Sequence, residues 1–367
     1  MTSPPFSSSL PEHPDLSSFR VGIHRTRYLG DILLLVPLLK KLLSGGCRSE
    51  NLFVVVNEGT EFPLRQLGIP FFAFCREDLR HKLLSMRKLG TSFQKRTFEL
   101  WIDLTVSDRS RFATRQVHSP RKIGAASEKD RRPGDPYDIF VPFDYNHGPG
   151  HVSAFWMTLP GRAGLNLPEG PPDFRVPADP SAKEEVRRYL ALRSLENRPV
   201  LVLHPGGRHW FKRWPPDRFS RLAKWWIQEK GGGVILAGTP DETTLLQSVA
   251  SGLPSGASAL FFQQSVPLLH ALLAQADLFV GNDSGPLHLA RSAGTPSIAL
   301  FGSTSPEVWG PFPGERGGVF YHPPVCSPCD HTGCSMGEEN CLRQVSVDEV
   351  LEAISKIPAP GEFSEGR

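Results

Sequence analysis

Residues 281 to 306, GNDSGPLHLARSAGTPSIALFGSTSP, contain the pattern that decides the fold of this chain. The runs DLFVG and PSIALFG are short and apolar, as in buried strands, whereas PLHLARSAG between them has helical spacing. Pro286 is tolerated in the first turn of such a helix, and Gly294 ends it. A strand, helix, strand succession predicts parallel strands joined by a crossover helix.

The same alternation extends in both directions from this stretch. Upstream in the second half, PVLVLHPGG, GVILAG and ASALFF predict strands separated by helices, and SAKEEVRRYLAL predicts a helix capped by Ser181. In the first half, FRVGIH, NLFVVVN and ELWIDLT predict strands, and DILLLVPLLKKLL predicts a helix that starts late or kinks at Pro37. We therefore predict an α/β protein with two doubly wound, Rossmann-like domains, whose ligands gather at the carboxyl ends of the strands in the cleft between the domains.

A proline-rich stretch divides the chain. Residues 166–180, NLPEGPPDFRVPADP, predict an inter-domain linker. The expected organisation is a loose leader (1–18), a first domain (19–168), a linker (169–180), a second domain (181–345) with a cysteine cluster at 326–341, a C-terminal helix (346–357) and a tail (358–367).

Composition excludes several classes of protein. With 39% hydrophobic and 22% charged residues, the chain fits neither a disordered nor an integral membrane protein. The longest early apolar run, residues 32–39, is far shorter than the roughly twenty residues of a membrane span. The leader resembles no signal peptide, so a cytoplasmic location is expected.

Positive charge is concentrated in the first half. Residues 1–175 carry 24 Lys and Arg against 18 Asp and Glu, whereas the remainder carries 17 against 20. A basic excess of this kind is either a solvated face or a surface for an anionic partner. We expect no nucleic-acid partner, because no binding motif accompanies the charge.

The turn between the quoted strand and helix predicts an anion site. Asp283, Ser284 and Gly285 lie at the helix N-terminus, where unpaired N–H groups and the helix dipole attract negative charge. His288 follows one turn later, on the side that can face the same ligand. The alternatives are a helix cap at Asp283 or Ser284 and a structural histidine.

A second loop of similar design lies at 204–219, HPGGRHWFKRWPPDRF. Lys212 and Arg213 supply the cations that a diphosphate needs when no metal holds it. The alternative is two surface cations beside a packing tryptophan. The donor-binding candidates in this loop are Gly206, Arg208, Lys212 and Arg213.

These two regions and RYLGDILLLVPLL near the start resemble the signature regions of glycosyltransferase family 9, the ADP-heptose:lipopolysaccharide heptosyltransferases. The resemblance spans about Phe19 to Ile354. It implies a GT-B fold with two Rossmann-like domains facing across a cleft, an acceptor-binding N-terminal domain and a nucleotide-sugar-binding C-terminal one. It also implies inverting transfer of heptose, or a related sugar, without a required metal or other cofactor.

The resemblance also assigns roles to particular residues. The family's N-terminal aspartate falls on Asp31, which becomes the candidate general base, with a helix cap as the alternative. The diphosphate-binding lysine falls on Lys212. The donor-binding motif falls on Asp283, Ser284, Gly285 and His288, and the region that reaches the ribose falls on Asp241 and Glu242. Leu35 and Val36 stand where family members often have hydroxyl residues, which is a departure on the acceptor side.

Four cysteines form the pattern C-x2-C-x4-C-x6-C. Their proximity in a chain expected to be cytoplasmic predicts a structural zinc, with free thiols or a redox-labile cluster as the alternatives. His331 lies between them. The candidate zinc ligands are Cys326, Cys329, Cys334 and Cys341.

The preferred interpretation is therefore a heptosyltransferase that uses ADP-heptose and an anionic, lipid-linked glycan acceptor such as the lipopolysaccharide core. The basic first half fits that acceptor or peripheral contact with the inner membrane. Two alternatives remain: another GT-B enzyme that uses a UDP-sugar, as a transferase or epimerase, and a catalytically idle sugar-nucleotide-binding protein.

Overall fold

The structure, a computed structural model, describes residues 15–75, 79–253, 259–262, 264–329 and 333–357. Two compact units meet in sequence between Phe174 and Arg175, inside the stretch predicted as the linker. The tail and all but the last four residues of the leader lie outside the described residues. No helix in the described ranges combines the length and the apolar character needed to cross a membrane.

The first unit contains a parallel sheet flanked by helices. Its strands are β1 (Val21–His24), β2 (Leu52–Asn57), β3 (Phe71–Phe74), β4 (Leu100–Asp103), β5 (Lys122–Ala126) and β6 (Ile139–Pro142). Its helices are α1 (Leu29–Ser44), α2 (Phe62–Gln66), α3 (Leu79–Gln94), α4 (Asp108–Arg115) and α5 (Val152–Arg162).

The second unit repeats this architecture. Its strands are β7 (Val200–His204), β8 (Gly233–Ala237), β9 (Ala259–Phe262), β10 (Leu278–Asn282), β11 (Ser297–Phe301) and β12 (Gly317–Tyr321). Its helices are α6 (Pro180–Ala191), α7 (Pro216–Lys230), α8 (Thr243–Ala250), α9 (Val266–Leu273), α10 (Gly285–Ala293), α11 (Pro306–Trp309) and α12 (Val347–Ser355).

Both sheets have the same strand order. The described strands pair as β3-β2-β1-β4-β5-β6 in the first unit and as β12-β11-β10-β7-β8-β9 in the second, and all pairs are parallel. This is the doubly wound order in which the first and fourth strands are neighbours and their following loops diverge to opposite faces. The prediction of two Rossmann-like units is confirmed.

The central strands are apolar and buried along their whole length, as expected for a sheet covered by helices on both faces. Every residue of β7, β8, β10 and β11 is buried. In the second unit Trp214, Phe219 and Trp226 join these strands in one core. The loops at the strand ends are therefore carried by a rigid base.

Two local predictions differ from the structure. Helix α1 begins at Leu29 and continues through the buried Pro37, so the expectation of a late start is wrong. A proline has no N–H to donate to the carbonyl four residues before it, here that of Leu33. The carbonyl of the next residue, Leu34, accepts a hydrogen bond from the hydroxyl of Ser153 at 2.6 Å. Helix α6 is capped by Asp179, whose carboxylate accepts from the amide of Ala182 at 3.0 Å, rather than by Ser181.

Candidate functional site

The carboxyl ends of β7 and β10 form the centre of the candidate site in the second unit. These strands are neighbours, and Gly281 on β10 pairs with His204 on β7. The loop 205–214 and the turn 283–284 therefore leave the sheet side by side. This is the switch point at which doubly wound sheets bind ligands.

Asn282, the last residue of β10, joins the two loops. Its side chain is fully buried. Its Nδ2 donates to the carbonyls of Pro205 at 3.0 Å and Gly206 at 2.8 Å, and its Oδ1 accepts from the amide of Trp214 at 3.0 Å. The loop that carries Lys212 is thus fixed relative to the helix that begins at Gly285.

Lys212 and Asp283 lie together at the mouth of these loops. Lys212 Nζ is 3.8 Å from Asp283 Oδ2, and their side chains are 24% and 14% exposed. The same carboxylate oxygen accepts a hydrogen bond from the hydroxyl of Thr304, while the amide of Asp283 donates to the carbonyl of Leu300. A cation that remains accessible to solvent beside a helix N-terminus can exchange its carboxylate partner for a phosphate.

Ser284 does not cap α10 with its side chain. Its hydroxyl donates to the carbonyl of Asn282 at 3.1 Å and lies 3.4 Å from His204 Nδ1. The capping alternative for Ser284 is therefore wrong. The Ser284 side chain accepts no hydrogen bond from the first turn of α10, in which the amide of Leu287 donates to the backbone carbonyl of Ser284.

His204 and Glu242 extend the site beyond these loops. Glu242 Oε2 is 3.8 Å from His204 Nε2 and accepts from the amide of Thr239 at 2.9 Å. Burial lowers the pKa of His204, and the Glu242 carboxylate only partly opposes this shift. A Cβ at Gly206 would come within 2.0 Å of Glu242 Oε1, so the backbone approaches this carboxylate as closely as glycine allows.

Asp241 and His288 differ in burial from each other and in their contacts from the residues above. Asp241 is exposed, unlike its neighbour Glu242. His288 is buried, and its Nδ1 lies 3.1 Å from a guanidinium nitrogen of Arg291, which pairs with Glu315. Because arginine can only donate, His288 Nδ1 is the acceptor in this contact.

The remaining two predicted cations of the loop differ in their surroundings. Arg213 Nε donates to the carbonyl of Gly207 at 2.8 Å, so this side chain braces the loop. Arg208 is exposed. Of the predicted cations in this loop, Lys212 is therefore the one that the structure pairs with Asp283.

In the first unit, Asp31 lies in the first turn of α1, directly after the loop that follows β1. One carboxylate oxygen pairs with Arg25, and the other accepts from the amide of Tyr28 at 3.1 Å. Arg25 is buried, also donates to the carbonyl of Leu104 and stacks 4.8 Å over the ring of Trp156. Asp31 thus makes the helix-capping contact that was the alternative to its role as a base. It also forms an ion pair with Arg25, which orients the carboxylate.

The cysteine cluster is divided between surface and interior. Cys341 is buried, Cys329 and Cys334 are half-buried, and Cys326 is exposed. Burial raises the pKa of Cys341 to about 11, and the other three thiols add to the shift. Among the described residues, no group of three or more His, Cys, Asp or Glu side chains is arranged to hold a metal. The zinc interpretation stays a prediction, and His331 lies outside the described residues.

Sequence reasoning missed four residues that shape these sites. They are buried or half-buried polar residues that lie at the last position of a strand or shortly after it: Arg25, His204, Asn282 and Thr304. The available signal was a polar residue at the last position of an apolar strand, as at His204 and Asn282. No sequence pattern indicated Arg25 or Thr304, because their partners come from elsewhere in the fold.

Comparison with known sequences identifies the protein family to which the chain belongs. The model of glycosyltransferase family 9 (heptosyltransferase) matches residues 86–339. Lipopolysaccharide heptosyltransferase 3 of Escherichia coli K12 is 33% identical over 152 residues, which cover 40% of this chain and 44% of the relative. Lipooligosaccharide heptosyltransferase 2 of Haemophilus ducreyi is 30% identical over 153 residues, with the same two coverages. The aligned part thus spans less than half the length of these curated relatives.

Solved structures match over nearly the whole chain. A family 9 glycosyl transferase from Veillonella parvula has a TM-score of 0.78 at 18% identity and covers 95% of this chain and 99% of its own. Escherichia coli ADP-heptose lps heptosyltransferase II has a TM-score of 0.72 at 20% identity, with coverages of 92% and 98%. An Escherichia coli heptosyltransferase with ADP has a TM-score of 0.68 at 18% identity, with coverages of 93% and 100%. The predicted two-domain GT-B type of α/β fold is confirmed.

Proposed function

The chain belongs to glycosyltransferase family 9, and from that premise we propose that it is an inverting transferase. It moves heptose, or a related sugar, from ADP-heptose to the lipopolysaccharide core or another glycan acceptor. The relatives named for lipopolysaccharide and lipooligosaccharide heptosyl transfer, and the structural neighbour solved with ADP, support this choice of donor and acceptor.

The proposed binding of the nucleotide-sugar donor rests on the position of Lys212 and Asp283. Lys212 and Asp283 meet at the N-terminus of α10, at the switch point between β7 and β10. A diphosphate bound there accepts hydrogen bonds from Lys212 and from the backbone at Ser284 and Gly285, and its charge is favoured by the helix dipole. Glu242 approaches Gly206 on the same edge and is the candidate partner for the ribose hydroxyls.

The same groups act on the leaving group. In an inverting transfer, the acceptor oxygen forms a bond to the anomeric carbon as the bond from that carbon to the diphosphate breaks. Negative charge grows on the departing diphosphate, where a fixed cation and oriented amides are most effective. Lys212 and the start of α10 can serve this role without a metal, which is how the proposal accounts for metal-independent catalysis.

Asp31 is the proposed general base. The acceptor hydroxyl must lose a proton during the displacement, and a carboxylate can accept it. The Arg25 ion pair and the Tyr28 amide orient this carboxylate from two sides, and its side chain is 15% exposed. Arg25 is therefore a positioning residue in this proposal.

The acceptor is proposed to be anionic and linked to lipid. The excess of Lys and Arg in the first half supports an acceptor that carries phosphate or acidic sugars, and it also favours peripheral contact with the inner face of an anionic membrane. A cytoplasmic location with access to that surface is part of the same proposal.

The proposal is tested by transfer itself. The purified protein is incubated with ADP-heptose and with lipopolysaccharide cores truncated at successive sugars. The mass of each acceptor is then measured by mass spectrometry. The expected result is the gain of one heptose on one of the truncated cores, at the same rate with and without EDTA. Gain of a sugar only from UDP donors, or no gain on any core, would contradict the proposed activity.

A further inference from the structure

The turn that follows β11 contacts the proposed donor site, and the sequence analysis did not predict this contact. This turn comprises Gly302, Ser303 and Thr304. The hydroxyl of Thr304 donates a hydrogen bond to Oδ2 of Asp283, the oxygen that also lies 3.8 Å from Lys212 Nζ. Asp283 therefore has two partners at one oxygen, a cation and a hydroxyl.

The two partners are held differently. The separation of Lys212 and Asp283 is beyond hydrogen-bonding distance, so this contact is an ion pair without a hydrogen bond. Both partners are half-buried, but Lys212 has only this longer contact to the carboxylate, whereas the hydroxyl of Thr304 is hydrogen-bonded to it. Lys212 is thus the partner that can leave when an anion binds.

When Lys212 moves from Asp283 to a ligand, the Asp283 carboxylate loses its cation, and this loss is unfavourable in free energy. Its side chain is only 14% exposed, so a carboxylate there is poorly compensated by water when its cation turns to a ligand. A hydroxyl that already donates to the same oxygen compensates part of that loss, because hydrogen bonds to charged groups are among the stronger ones. Thr304 therefore lowers the cost of transferring Lys212 from Asp283 to a diphosphate.

The turn itself is fixed by the segment that carries the cysteines. The hydroxyl of Ser327 donates to the carbonyl of Gly302 at 2.7 Å, and the amide of Cys329 donates to the carbonyl of Ser303 at 2.7 Å. A Cβ at Gly302 would lie 2.9 Å from the sulfur of Cys341, so this segment packs directly against the turn. Two hydrogen bonds, from Ser327 and Cys329, thus connect the described part of this segment to the turn that carries Thr304.

We propose that Thr304 is a positioning residue of the donor site, which holds Asp283 so that Lys212 can engage the donor diphosphate. Ser327 and Cys329, in the cysteine-rich segment, support Thr304 in this role. The inference rests on the proposed donor site. It gives the cysteine-rich segment a function in donor binding that does not require a bound metal.

The test compares ADP binding by calorimetry in the wild-type protein and in two variants at one position. Thr304→Val keeps the shape of the side chain and removes the hydroxyl, whereas Thr304→Ser keeps the hydroxyl. We expect about tenfold weaker ADP binding for the valine variant and binding within about twofold of wild type for the serine variant. Thr158→Val, on α5 of the first unit, removes an exposed hydroxyl bonded only to its own helix and is the matched control.

A double-variant cycle separates positioning from general stability. Because Thr304 acts through Asp283, Thr304→Val should cost little further affinity when Asp283→Asn is already present. Additive losses in the double variant would overturn the inference, as would wild-type affinity in Thr304→Val. Wild-type protein that binds no ADP would instead contradict the proposed function.

Ser327→Ala tests the support from the cysteine-rich segment without altering the turn. We expect a smaller loss of ADP affinity than for Thr304→Val, about two- to fivefold, since one of two hydrogen bonds to the turn remains. It also serves as the readout if Thr304→Val does not fold. Unchanged affinity in Ser327→Ala would overturn the supporting role of the segment.

Discussion

Lys212 is the residue on which the donor site depends most directly. Its amine is the cation that lies beside the start of α10 and also retains exposure to solvent. We expect Lys212→Met to weaken ADP binding by at least about tenfold, because a charge-assisted contact to the diphosphate is lost. Calorimetry checks this, with Lys224→Met, at an exposed position of α7, as the control. Equal affinities for the two variants would exclude Lys212 from the diphosphate site.

Asp31 combines a structural contact with its proposed chemistry, and two substitutions separate them. Asp31→Asn keeps an oxygen that can accept from the Tyr28 amide but cannot take a proton, whereas Asp31→Ala loses both properties. If Asp31 is the base, both variants lose turnover by at least about a hundredfold while ADP affinity is retained. Substantial turnover in the asparagine variant, measured by ADP release, would identify Asp31 as a helix cap only.

At the residue scale, the sequence indicated which side chains to examine but not their neighbours. Lys212, Asp283 and Glu242 were predicted, and each lies at the sheet edge where ligands are expected. The partners Thr304 and Arg25 were not predicted. A hydrogen bond between residues 283 and 304 depends on how two loops leave a folded sheet, which spacing along the chain does not record.

His270, on helix α9, is expected to make the stability of the protein depend on pH. This side chain is fully buried, and burial lowers its pKa from 6.5 to about 4. The unfolded chain therefore binds a proton that the folded chain does not, so stability is complete above pH 6.5 and falls as the pH drops toward 4. The loss at the low end is up to about 3 kcal/mol for this group.

Urea unfolding between pH 7.5 and 4.5 measures this effect. His270→Leu should flatten the fall in the free energy of unfolding with decreasing pH, whereas His118→Leu, at an exposed position, should leave it unchanged. Burial also lowers the pKa of His24 and His204, so part of the fall persists in the His270 variant. An identical pH dependence in the His270 variant and wild type would contradict the assignment.

Element boundaries were predictable where periodicity was strong. The strands and helix of the opening stretch, β10, α10 and β11, form as predicted, including the helix end at Gly294. Strands β3, β5, β6 and β12 and helices α2, α4, α5 and α11 were not predicted. The sequence of β5, KIGAA, contains little of the branched or aromatic character that marks a strand, and its conformation depends on pairing with β4 and β6.

For the whole molecule, alternation of strands and helices was enough to predict two doubly wound units. The strand order, with β1 beside β4 and β7 beside β10, is the same in both units, and alternation along the chain does not by itself specify it. What the alternation could not supply was the identity of the ligand. The same sheet order serves many chemistries, so the donor must be argued from the side chains at the strand ends.

The identity of the donor nucleotide decides between the proposed activity and its alternatives, and it can be measured by calorimetric titration of the protein with ADP and with UDP. Each titration is run with and without EDTA. We expect ADP to bind more tightly than UDP, and we expect chelation to leave the affinity for ADP unchanged because Lys212 and the start of α10 hold the diphosphate. Preference for UDP, no binding of either nucleotide, or loss of ADP binding in EDTA would contradict this expectation.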